Sequence, residues 1–118
     1  MLNLSHKKLV VYTTAIEITK EIYDLTRLLP EGERYGLSAQ LRRAAVSVCS
    51  NLAEGAGRIS KTEKKRFFEI SRSSLVEIDM QIEICRITGY FETSQLMKLE
   101  KLMNTTFAML SKLISNLS

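Results

Sequence analysis

The side chains that most often do chemistry are few in this sequence, and none stands beside a suitable partner. Histidine occurs once, as His6, with no glutamate three residues before it. The Glu-x-x-His pairs that build di-metal centres inside helical bundles are therefore missing. Neither H-E-x-x-H nor G-x-x-x-x-G-K-[ST] occurs, and "GAG" at 55–57 has no third glycine and no strand before it. Cys49 and Cys85 fall on apolar helical stripes without a base to lower their pKa, so free buried thiols are predicted rather than a nucleophile or a bridge. Glu77, Asp79 and Glu83 crowd one stretch, and Asp79 and Glu83, four residues apart on a helix, repel each other. They read as solvated or interface charges. The expectation is no enzyme, no metal and no cofactor.

Positive charge, by contrast, is concentrated. From Arg42 to Arg72 there are eight basic residues against three acidic ones, a net +5, while the remainder carries nine against ten, a net −1. Arg58, Lys61, Lys64, Lys65 and Arg66 gather where a helix should open. Cations at a helix N-terminus oppose its macrodipole, so helix stability does not explain them. Such a terminus offers free N–H groups to phosphate, and lysines and arginines add attraction by releasing counterions. The competing reading is a solvated face that keeps the protein soluble. Phe67 and Phe68 adjoin the run and could stack on bases, although Phe68 continues an apolar stripe and is expected in the core.

The elements that must position these residues are helical. Five glycines and the single Pro30 in 118 residues leave long stretches unbroken. Val11, Ala15, Ile18, Ile22, Leu25 and Leu29 recur at spacings of four and three, predicting a first helix from about His6 to Leu29. A second is predicted from an N-cap near Ser38 to Gly55 or Gly57, with Leu41, Ala45, Val48 and Leu52 as its core stripe. Ser60 and Glu63 form a capping-box pattern for a third, which continues through Phe68, Leu75, Ile78, Ile82 and Cys85 to Gly89. A fourth runs from Thr93 or Ser94 to the end through Leu96, Leu99, Met103, Leu110 and Leu113. Connections of a few residues make neighbouring helices antiparallel, which predicts a single all-α domain, an up-down-up-down four-helix bundle. Small residues at Ala44, Ala45, Ser71, Ser73 and Ser74 suit close helix packing. The opening "MLNLSHKK" lacks a signal-peptide pattern and no apolar run exceeds four residues, so a cytoplasmic protein without a membrane span is predicted.

Gln40, Arg43, Ser47, Ser50 and Glu54 share one face of the second helix, with Asn51 beside them. Glu54 lies near the helix C-terminus, where the dipole disfavours an anion, so a cation such as Arg58 or Arg43 should hold it. Three roles are open for this group. Asn51 and Glu54 tie the following turn, with Gly55 or Gly57 as a left-handed cap; Gln40, Arg43, Asn51 and Glu54 form a polar strip between subunits; or the strip binds a ligand.

"YGLSAQLRRAAVSVCSNLAEGAGR" and the later "SSLVEIDMQ" resemble the family of 23S rRNA intervening-sequence proteins. The likeness rests on Tyr35, Gly36, Leu37, Ser38, Gln40, Leu41, Arg42, Arg43, Ala44, Ser47, Val48, Asn51, Leu52, Ala53, Glu54 and Gly55, and then on Ser73, Ser74, Leu75, Glu77 and Gln81. Cys49 and Ser73 stand where proline and glycine are common in the family, and both suit a straight helix. The resemblance implies a homopentamer of antiparallel four-helix bundles with no enzymatic activity. A related group, the accessory variability determinants of diversity-generating retroelements, binds a reverse transcriptase and nucleic acid through a basic pentameric surface. The expected function is nucleic-acid binding, with structured RNA as the ligand and Arg58, Lys61, Lys64, Lys65 and Arg66 on phosphates. The alternative is a protein scaffold, such as a reverse-transcriptase accessory subunit.

Overall fold

The computed structural model describes residues 1–117, so the expected end of the last helix at Ser118 lies outside the described residues. Among them are four α-helices and no strand: α1 Val10–Thr26, α2 Leu37–Ala56, α3 Lys61–Ile87 and α4 Met97–Ser115. α2 packs on α1 and α3, and α4 closes against α1 and α3. The molecule measures 44 × 27 × 19 Å. No described helix is long and apolar enough to cross a membrane.

The periodic apolar residues form the core. Val11, Ala15, Ile18, Ile22 and Leu25 of α1 meet Leu41, Ala45, Val48 and Leu52 of α2, Phe68, Leu75, Ile78 and Cys85 of α3, and Leu99, Leu110 and Ile114 of α4. Cross-helix hydrogen bonds fix the register. Thr19 Oγ1 donates to the Ala45 carbonyl, and Arg42 Nε to Thr26 Oγ1. Ser71 Oγ donates to the Val48 carbonyl at 2.7 Å, and Ser47 Oγ lies 2.8 Å from Ser74 Oγ. Thr106 Oγ1 donates to Thr14 Oγ1 at 2.7 Å, while Lys98 approaches Glu21 at 3.7 Å.

Helix boundaries differ from the periodicity in four places. The first helix begins at Val10, because Ser5–Lys8 form a separate 3-10 turn and Leu9 is extended. It stops at Thr26, well before Leu29. Pro30 bars the helical conformation at the preceding residue, and Thr26 Oγ1 turns back to the Ile22 carbonyl. The second helix starts at Leu37, so Ser38 is buried inside its first turn and caps nothing. Its Leu37 N–H is met by Glu33 Oε1 from the preceding turn. A 3-10 turn at Thr93–Leu96, capped through Glu92 and Gln95, precedes α4. Gly89 is the stop expected of it. Its φ is +85°, and the Gly89 and Tyr90 N–H groups bond the Arg86 and Cys85 carbonyls, a Schellman closure.

Candidate nucleic-acid interface

The elbow between α2 and α3 is held from both sides. Ser60 Oγ accepts from the Glu63 N–H at 3.3 Å, giving α3 the N-cap its sequence predicts, but the Glu63 carboxylate faces Arg66 and does not complete a capping box. Gly55 and Gly57 are not left-handed, which corrects the expectation of an αL stop; Gly57 closes α2 at φ −83°. Gly55 is needed for a different reason. A Cβ there would stand 2.7 Å from Phe68 Cε1 and 3.2 Å from Phe67 Cβ, so α2 and α3 approach this closely only over a glycine.

The five predicted basic residues share this elbow but not one role. Arg58 Nη2 bonds Glu54 Oε2 at 3.0 Å, and its guanidinium lies 4.9 Å from the Phe67 ring centre. Arg66 lies 5.5 Å from the same ring and only loosely meets Glu63, at 3.9 Å. Lys64 Nζ donates to the Gly55 and Ala56 carbonyls at 3.3 and 3.0 Å, closing the C-terminus of α2. Among the described residues Lys61 and Lys65 have no carboxylate within 4.0 Å. The elbow therefore presents two lysines outright, two arginines arrayed on a phenylalanine, and one lysine spent on the backbone. Phe68 is buried as expected. Phe67, a candidate for base stacking, instead serves as the platform for both guanidiniums. The sequence signal for that role was available, since an aromatic beside a basic run is a cation–π partner as readily as a base platform.

The polar strip divides. Asn51 Nδ2 donates to the Ser47 carbonyl at 2.9 Å and to Ser47 Oγ at 3.1 Å, so Asn51 points back along α2 and does not tie the turn. Glu54 does serve the turn, through Arg58 rather than Arg43. Gln40 and Arg43 belong to a second group near the other end of α2, around a recess shared with Ser47, Glu77 and Gln81. There Gln81 Nε2 donates to Gln40 Oε1 at 3.5 Å, and Gln81 Oε1, on a side chain only 4% exposed, has no partner. Sequence reasoning placed Gln40 and Arg43 correctly on one face but could not see that α3 supplies the other wall.

Elsewhere the candidates for chemistry lie apart. Burial raises the pKa of both Cys49 and Cys85, the former partly offset by the Thr19 hydroxyl. Neither thiol is poised as a thiolate. Asp79 and Glu83 line a groove of about 610 Å³ between α3 and α4, floored by Leu75, Ile82 and Met103. His6 stacks edge-on to Tyr12 at 4.8 Å.

The fold has a solved counterpart, a protein of unknown function from the S23 ribosomal protein family of Bacteroides thetaiotaomicron. It is 20% identical, superposes with a TM-score of 0.82, and covers 90% of this chain and 96% of its own. No curated protein matches the sequence. Residues 7–112, which include α1, α2, the elbow, α3 and most of α4, match the family described as 23S rRNA-intervening sequence protein. With nine-tenths of its length and the whole basic elbow inside that match, the chain belongs to the family of 23S rRNA-intervening sequence proteins.

Proposed function

We propose that this chain is a non-enzymatic nucleic-acid-binding protein suited to structured RNA, working in the cytoplasm as a homopentamer of antiparallel up-down-up-down four-helix bundles. The order of the cross-helix partners supports the antiparallel arrangement. As residue numbers rise from 40 to 47 to 55 along α2, their partners on α3 fall from 81 to 74 to 68. The family resemblance supports five protomers. One observation carries the functional reading: Lys61 and Lys65, unpaired with any described carboxylate, share the N-terminal end of α3 with two ring-stacked arginines. A cationic cluster of this kind suits phosphate, and symmetry would repeat it for avidity.

The test is fluorescence anisotropy with a labelled RNA hairpin across a salt series. Binding should weaken with salt, and Lys61→Glu with Lys65→Glu should weaken it at least tenfold. Neutralising those two phosphate contacts should flatten the log–log salt slope by about 2. Affinity indifferent to salt and to both substitutions would rule out this interface. A protein-interaction scaffold is the second reading, favoured by the exposed apolar ridge Val76, Met80, Ile84 and Ile87 along α3. A pulled-down protein, for instance a reverse transcriptase, that survives nuclease treatment and ignores the lysine changes would select it.

A further inference from the structure

The two ends of the molecule differ in charge and in exposed apolar surface. At the elbow end a leader of extended residues up to Leu4 runs into the 3-10 turn Ser5–Lys8, which lies against α1 and α2. Leu2 is 68% and Leu4 50% exposed, and Lys7 and Lys8 follow directly. Away from that end, α3 and α4 part over the groove floored by Leu75, Ile82, Leu96, Met103 and Phe107 and rimmed by Asp79, Glu83 and Glu100. The rim also holds one cation, Arg86. An apolar slot with acidic lips and an apolar leader with basic flanks are complementary in both properties.

The leader cannot serve its own groove. Ser5 Oγ bonds the Ala56 carbonyl at 3.5 Å, which anchors the leader at the level where Gly55 meets Phe68. Asp79 and Glu83 lie eleven and fifteen residues beyond Phe68 on α3, roughly 16 and 22 Å at 1.5 Å per residue. Lys7 and Lys8, fixed in the 3-10 turn after Ser5, do not span that distance.

We infer that the α3–α4 groove receives the Leu2–Lys8 segment of a second copy of this chain, with Leu2 and Leu4 on the apolar floor and Lys7 and Lys8 against Asp79, Glu83 and Glu100. The contact joins unlike surfaces, so repeated copies run head to tail and close into a ring when the rotation permits. The inference deepens the oligomeric part of the proposed function and rests on it, and its contacts use neither Lys61 nor Lys65.

Sedimentation of the full chain at micromolar concentration, with circular dichroism to verify helicity, tests it. The wild type should sediment as an oligomer. Leu2→Asp with Leu4→Asp should raise the dissociation constant at least 100-fold without loss of helix, since both side chains are exposed in the protomer. Lys7→Glu with Lys8→Glu, and separately Asp79→Lys with Glu83→Lys, should each give monomers, and all four changes in one chain should restore assembly. An oligomer indifferent to Leu2→Asp and Leu4→Asp, or a charge swap that fails to restore it, overturns this inference alone. A monomeric wild type overturns the oligomer itself.

Discussion

The two faces of α3 meet their neighbours in opposite ways. Toward α2 the seam is built from Ala44, Ser47, Gly55, Ser71 and Ser74, and it is stitched by hydroxyls at 2.7 and 2.8 Å. Toward α4 the side chains are Leu75, Ile82, Met103 and Phe107, and Arg72 Nη1 to Ser111 Oγ at 3.1 Å is the hydrogen bond that crosses. Small side chains let two backbones close and spend their polar atoms on each other. Large ones hold the helices apart and leave a slot that one chain does not fill. The tight seam ends in the basic elbow and fixes its geometry; the loose seam leaves an open groove.

Truncation should expose the contrast most strongly. Phe68→Ala, which empties the space beside Gly55, should cost about 3–5 kcal/mol in urea unfolding. Phe107→Ala, at a side chain 42% exposed in the loose seam, should cost about 1 kcal/mol or less. Equal losses would mean that the seams are not different in kind. Enlargement is the next largest effect. Gly55→Val forces Phe68 aside and should destabilise by about 1–3 kcal/mol. Asn104→Leu, on the rim of the groove, should shift stability by less than about 0.5 kcal/mol. Ser71→Ala removes one stitch of the tight seam and should cost about 0.5–1.5 kcal/mol by the same measurement.

The smallest change concerns the elbow itself. Glu54 and Arg58 are both substantially exposed, so Glu54→Gln should alter stability by about 0.5 kcal/mol or less. It also frees Arg58 from its carboxylate, so RNA anisotropy should show tighter binding and a steeper salt slope. A large stability loss with unchanged binding would make Glu54 a structural tie and nothing more.

Much of this was legible from residue types and spacing. The apolar stripes name the core nearly residue by residue, and Ser60 and Gly89 mark ends that the chain does use. Ends that depend on neighbours were not legible. Ser38 looks like a cap, yet Glu33 takes that task from the preceding turn. Leu29 fits the first stripe and is buried, but it reaches the core from outside the helix because Pro30 has already broken it. The charge of the elbow could be read off the sequence, whereas its internal division could not. That Lys64 turns inward while Lys61 does not depends on where α2 ends relative to α3, a distance that no local pattern encodes. The same holds for Gly55, whose need arises from Phe68, thirteen residues away in sequence.

Lys64 ties the charge of the elbow to the backbone beneath it. Its ammonium holds the last carbonyls of α2 at 3.0 and 3.3 Å, so a polyanion that recruits this lysine must loosen the final turn as it binds. Amide hydrogen exchange would register the coupling, with Gly57 and Arg58 protected in the free protein and exchanging faster once ligand arrives, while the amides of Lys61 and Thr62 slow down. The hinge would thus report its own occupancy by fraying on one side and stiffening on the other.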